Sequence, residues 1–252
     1  MYDNLFNTYR RVFMEWHIKC DAKDIHRYVF CPGDQARAKK IAEHFDNHRL
    51  VTEGRGYVVF SGEYKGVPMT VIGTGMGGPV VAIGLEELAH MGADTFIRVG
   101  SCGVFQDFQQ VGDVIIGSGT VREGGTSLAY LPLTYPAVPT FSVLRALVEA
   151  SEELGIPATV GVGVAGDAFY APRADNARGE LLKKAGVVSV EMESDTLFIA
   201  GQYRGWRTGA IYASDGTNKA TKPEDKEADF RRGEQNAIKI ALQAMWKIAQ
   251  GD

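Results

Sequence analysis

Two arginines in this 252-residue chain, Arg98 and Arg37, occupy positions that a bound anion would explain, and a third, Arg55, stands where the backbone lets it reach outward. Arg98 lies inside the apolar strand Thr95 to Val99, where desolvating a guanidinium costs heavily unless something negative meets it. Arg37 falls in the first turn of a helix that follows Pro32-Gly33-Asp34, an end whose dipole already favours anions. A solvated arginine on an exposed face accounts for Arg37 equally well. Arg55 stands between two glycines, whose permissive backbone suits an arm reaching outward, although a plain loop arginine is the commoner explanation.

Acids gather at the other strand ends. Glu191 and Glu193 sit where the strand Val187 to Val190 meets a helix, and Asp215 ends the strand Thr208 to Ala213. Helix capping explains the first pair and an Asx turn explains the last. Ligands of α/β proteins, however, bind where strands end, and Glu193 there presents a strong double acceptor suited to sugar hydroxyls. Phe169 and Tyr170 follow another strand and offer faces for a planar ligand. His17 lies in an N-terminal stretch, to about Lys23, that mixes aromatics and charges without a period and reads as a partner-contacting arm.

The segment Val71 to Gly103 organises these positions. An apolar strand ends in glycines at 73, 75, 77 and 78, Val81, Leu85 and Leu88 recur at helical spacing, and Gly92 stops the helix. The strand Thr95 to Val99 then enters a second glycine turn, Gly100-Ser101-Cys102-Gly103. Gly73, Gly75 and Gly78 satisfy the GxGxxG dinucleotide pattern, but that pattern needs an acid closing the next strand. Here the strand carries Arg98 and closes on Gly100-Ser101, so a dinucleotide is rejected.

Around this unit the pattern alternates strands and helices. Strands are expected at 28–31, 57–60, 67–72, 114–117, 158–164, 187–190 and 208–213. Helices carry Ala38, Ile41, Ala42 and Phe45, then Leu144, Leu147, Val148 and Leu154, then Ile238, Ala241, Leu242, Met245 and Ile248 on their inner faces. The proline-punctuated connection Thr126 to Phe141 is a candidate pocket wall, and Arg173 to Lys184 reads as a polar exposed stretch. One α/β domain over residues 1–252 is expected: a three-layer α/β/α sandwich around a central mixed sheet.

Composition narrows the function. Lys plus Arg number 27 against 31 for Asp plus Glu, a net charge of −4 with no basic block, which argues against a nucleic-acid surface. Cys20, Cys31 and Cys102 have no CxxC spacing, so neither a disulfide framework nor a structural metal site is expected. A reducing cytoplasm and no membrane span complete the expectation.

Five motifs in order resemble the nucleoside phosphorylase-I family, the hexameric purine nucleoside phosphorylases and uridine phosphorylases. They are PGDQARAKKIA at 32–42, GTGMGGPVVAIGLEEL at 73–88, RVGSCG at 98–103, VEMES at 190–194 and SDG at 214–216. The resemblance implies phosphate held by Gly33, Arg37, Arg98 and Ser101, with Arg55 from a neighbouring subunit. It implies ribose contacts from Met192 and Glu193, with the neighbour's counterpart of His17 on the 5′-hydroxyl. Phe169 is expected to pack on the base, Glu191 to border it, and Asp215 to protonate it as a purine branch enzyme does. Inorganic phosphate is a co-substrate and no cofactor or metal is implied. The assembly implied is a hexamer built from dimers.

The uridine branch reads its base with a glutamine and an arginine, which fall here on Arg173 and Asp175, so a purine nucleoside is the expected substrate and uridine the alternative. Against the purine reading, the assisting arginine of that branch falls near Phe230, beside Arg231 and Arg232, and GTSLAYLPLTYPAVPTF at 125–141 is similar to the uridine branch. Gln35 also replaces the family's usual proline. A nucleosidase of the same fold and a non-catalytic nucleoside-binding protein are more distant readings, the former having no use for three phosphate arginines.

Overall fold

A computed structural model describes residues 14–170, 176–217 and 223–252. The start of the N-terminal arm and the positions Arg173 and Asp175 lie outside the described residues. Chain order is β1 (Tyr28–Phe30), α1 (Gln35–Ala42), β2 (Asp46–Gly54), β3 (Tyr57–Tyr64), β4 (Val67–Gly73), α2 (Gly78–His90), β5 (Thr95–Gly103) and β6 (Val114–Glu123). It continues with α3 (Phe141–Glu153), β7 (Ala158–Gly166), α4 (Asn176–Lys184), β8 (Ser189–Glu191), α5 (Ser194–Arg204), β9 (Arg207–Gly216) and α6 (Glu227–Gln250).

Local rules account for the helix starts nearest the anion-binding candidates. Asp34 caps α1, its side chain accepting from the Ala36 N–H at 2.9 Å, and buries Ala38, Ile41 and Ala42 along one stripe. α2 begins after Gly77, whose φ of 97° is open only to glycine, and has Pro79 in its first turn. The apolar stripes of α1, α3 and α6 bury against one face of the sheet, and those of α2 and α5 against the other. This is the expected three-layer arrangement around a mixed sheet.

The sheet is less open than a sandwich implies. Its strand order is β2-β3-β4-β1-β5-β8-β7-β6-β9, and β9 also pairs with β5 in parallel from Thr95↔Arg207 to Gly103↔Gly216. The strands β5, β8, β7, β6 and β9 therefore form a ring, and β1 to β4 extend from it as a flap of sheet.

Two expectations about local structure are corrected. Gly100 to Gly103 is no turn: its ladder with β9 is long-range, and the glycines admit close neighbours, since a Cβ on Gly100 would lie 2.9 Å from Arg98 Nη2. The polar stretch before Lys184 contains the helix α4, and β2 has no counterpart among the expected strands because it is an almost wholly exposed terminal strand without apolar alternation. No helix among the described residues is long and apolar enough to cross a membrane.

Candidate active site

Parallel pairing sets Phe30, the last residue of β1, beside both Val71 near the end of β4 and Ile97 of β5, the residue before Arg98. The turns that follow are joined to each other. Thr74 N–H donates to the Pro32 carbonyl at 3.0 Å and Gly75 N–H to the Gly33 carbonyl at 2.9 Å. Gly33 has to be glycine, because a Cβ there would meet Gly75 O at 2.9 Å; the same position is 3.7 Å from Arg98 Nη1. Two glycine turns and one guanidinium thus face the same small space.

Arg98 is 4% exposed and surrounded by acid. Its Nε donates to Glu191 Oε2 at 2.8 Å, Nη2 pairs with Glu193 Oε2, and the guanidinium lies 5.8 Å from the Tyr212 ring centroid. Burial alone would lower its pKa, but the charges of Glu193 and Glu191 outweigh burial and hold the cation more firmly than usual. Nη1 is buried and has no hydrogen-bond partner among the described residues. A buried donor left unmatched costs about 1–3 kcal/mol, so the geometry suits an incoming acceptor.

The two glutamates divide their duties. Glu191 accepts from Arg98 Nε, from Glu193 N–H at 3.0 Å, from Ser194 N–H at 2.9 Å and from Ser194 Oγ at 2.6 Å. That fills a carboxylate's capacity. Within the chain Glu191 orients Arg98 and closes the start of α5. Glu193 accepts from Gly77 N–H at 2.6 Å, and burial pushes its carboxyl up further than the Arg98 charge pulls it down.

Arg37, also 4% exposed, approaches from α1. Its Nε donates to Glu234 Oε1 at 2.8 Å and its Nη1 to the Val99 carbonyl at 3.3 Å, next to Arg98. Lys40 Nζ donates to Glu234 Oε2 at 2.5 Å, and Arg231 Nη1 lies 3.4 Å from the same oxygen.

The remaining candidates fall into two groups. Ser101 is half-buried on β5, Met192 is half-buried between the two glutamates, and Phe169 is exposed with its ring 4.9 Å from that of Tyr170. Asp215 occupies a bulge, since Ser214 pairs with Cys102 and Gly216 with Gly103, leaving it as the extra residue. Bulges re-aim side chains beside active sites. Its charge reaches Cys102, whose thiol is pushed up first by burial and then by Asp215.

His17 and Arg55 are not brought to Arg98 within the chain. The His17 Nδ1 lies 2.6 Å from Glu87 Oε1, and the same carboxylate accepts the N–H groups of His17 and Ile18. Glu87 is nine residues past Gly78 on α2, roughly 13 Å along the axis from the site. Arg55 is exposed at the tip of the β2–β3 hairpin with φ of 51°, and the adjacent Gly56 carbonyl accepts from Gln35 Nε2 at 2.6 Å.

The family model described as the phosphorylase superfamily matches residues 27–245. The chain belongs to that superfamily. A uridine phosphorylase of Treponema pallidum (strain Nichols) is 40% identical over 240 residues, 92% of this chain and 93% of that one. A guanosine phosphorylase of Halorubrum lacusprofundi is 35% identical over 238 residues, 91% of this chain and 97% of its own. The crystal structure of uridine phosphorylase from Vibrio fischeri ES114 superposes with a TM-score of 0.88 at 32% identity, covering 95% of this chain and 100% of that one. This protein is a nucleoside phosphorylase of family I, a pentosyltransferase whose substrates are a nucleoside and phosphate.

Sequence reasoning about this phosphorylase misses Glu234, Glu87 and the Gly77 N–H. Glu234 does leave a trace: it falls on the stripe Gly233, Ala237, Ile238, Ala241, which is buried along α6. An acid on an apolar stripe is costly without a partner.

Proposed function

We propose that this phosphorylase cleaves uridine by phosphorolysis, releasing uracil and ribose 1-phosphate. The observation that carries the phosphate site is the buried, unmatched Arg98 Nη1 beside Gly33, within a step of Arg37. Phosphate there is held by Arg98, Arg37, the Gly33 N–H and Ser101. Glu193, steadied by Gly77, accepts the ribose hydroxyls with Met192 against the sugar, and Phe169 covers the base. As the glycosidic bond lengthens, the sugar becomes cationic, and a phosphate dianion fixed beneath it with Glu193 nearby stabilises that charge. Glu191 acts on this chemistry through Arg98.

Uridine takes precedence over the purine expected from SDG because the Treponema and Vibrio relatives are uridine phosphorylases and resemble the chain along nearly its whole length. A purine nucleoside is the second reading, favoured by Asp215 in its bulge, a general acid suited to a departing purine, and by the guanosine phosphorylase relative. His17 and Arg55 fit sites on a neighbouring subunit, since neither reaches Arg98 in its own chain. This supports a dimer-based assembly; a hexamer built from such dimers and a cytoplasmic setting are part of the same proposal.

Purified protein incubated with uridine, inosine and guanosine, each with and without phosphate, tests the proposal by base release and ribose 1-phosphate formation. Phosphate-dependent cleavage of uridine in preference to both purines is expected. Purine cleavage alone transfers the assignment to Asp215 chemistry, phosphate-independent cleavage of any of them indicates a nucleosidase, and no cleavage indicates a binding protein.

A further inference from the structure

The two buried arginines of the site live in opposite electrostatic surroundings. Arg98 faces two carboxylates, Glu191 and Glu193, so its immediate group is formally in acid excess. Arg37 and Lys40, with Arg231 at the rim, share the single carboxylate of Glu234, leaving that group in basic excess. A phosphate dianion needs the second group as much as the first, and needs it aimed. Arg37 has two of its nitrogens committed, Nε to Glu234 and Nη1 to Val99 O. Those two bonds fix the plane of the guanidinium.

Glu234 is itself held with little freedom. It is 1% exposed on α6, and the preceding residue, Gly233, packs so closely on the β5–β6 connection that a Cβ there would lie 2.3 Å from Gly112 O. The helix therefore approaches to a distance that only glycine permits, and this carries the Glu234 carboxylate to Arg37. Burial alone would raise the Glu234 carboxyl, but hydrogen bonds from Lys40 and Arg37, with their charges, bring it below the ordinary value. It is ionised throughout the neutral range.

We infer that Glu234 is a positioning residue for phosphate: from the C-terminal helix it aims Arg37, with Lys40 in support, at the anion site, and so sets the KM for phosphate without touching either substrate. The inference rests on the reading that Arg37 holds phosphate.

Charge and positioning predict opposite outcomes, which makes the idea testable. Glu234→Gln removes a negative charge near the phosphate, so electrostatics alone would tighten phosphate binding. Positioning predicts the reverse, because the amide matches the Arg37 and Lys40 donors poorly, and the KM for phosphate should rise tenfold or more with the nucleoside KM and kcat changed less than threefold. In an Arg37→Met background the same substitution should have little further effect. Should Glu234→Gln fail to fold, Glu234→Asp keeps the charge but retracts it by one methylene, and a severalfold rise in phosphate KM is again expected. An unchanged or lowered phosphate KM in the variant that folds overturns the inference. So does an equal rise in the Arg37→Met background. If the unmodified enzyme shows no phosphate-dependent cleavage, it is the functional reading that fails.

Discussion

Arg98 and Arg122 are both buried in strands, at 4% and 8% exposure, yet their surroundings differ in kind. Arg122 on β6 donates to Ser127 Oγ at 3.2 Å and to the carbonyls of Pro132 at 2.6 Å, Tyr135 at 2.9 Å and Leu131 at 2.8 Å. Its guanidinium binds the proline-punctuated connection together, and each of its three nitrogens has a partner. Arg98 is gripped by acids and keeps one buried nitrogen with nothing to meet it among the described residues. Burial of an arginine therefore does not by itself mark a site. The unmatched N–H does.

The comparison is broken most directly by treating both residues alike. Arg98→Lys keeps the charge but loses the fork, and kcat/KM should fall by about 10²–10³, the effect of losing one preorganised charge-stabilising contact. A loss smaller than tenfold in steady-state assays would place Arg98 with Arg122 as structural. Arg122→Lys should instead leave the partly buried carbonyls of Leu131, Pro132 and Tyr135 short of donors and loosen the connection they hold. Urea denaturation should register a stability loss of about 1–3 kcal/mol, with kcat/KM of the folded fraction within about threefold.

The pH profile sharpens the contrast with the smallest effect. In the proposed reaction Glu193 accepts ribose hydroxyls as a carboxylate, and burial raises its pKa against the pull of Arg98. The acid limb of kcat/KM should therefore lie above the ordinary glutamate value of about 4.3 and disappear in Glu193→Gln. The same shift has a sign for stability: the folded chain holds the Glu193 proton more tightly, so this group's contribution declines as pH rises from the unfolded value through the folded one. Glu234, whose pKa is lowered, runs the other way, its contribution being lost as pH falls through its depressed value. An acid limb at the ordinary value, unchanged by Glu193→Gln, would remove Glu193 from ribose binding.

Local signals carry most of what the sequence reveals about this enzyme. The stripes of α1 and α2, the capping Asp34, the glycines at 33 and 73 to 78 and a lone arginine in an apolar strand all stand within a few residues of their causes. What escapes is non-local. Gly100 to Gly103 looks like a turn until β9 pairs with it, and Asp215 looks like an Asx turn until the same ladder makes it a bulge. The partnership of Arg37 with Glu234 spans 197 residues of sequence. The strand β2 escapes for a different reason, its near-complete exposure removing the alternation that betrays a strand.

That exposed strand has a consequence for self-association. Closing β5 through β9 into a ring leaves β2, among the described residues, as the terminal strand of the nine, an edge that can template another chain's backbone. It is a poor template. Its ladder slips between Asp46 and Arg49 and again between Leu50 and Thr52, Asn47 has a φ of 53°, and Asp46, His48, Arg49 and Glu53 line it with charge and polarity. Cross-β aggregation is thereby discouraged at the sheet's own margin. A proposed dimer partner meeting this flap would have to recognise side chains such as Arg55 rather than extend the sheet.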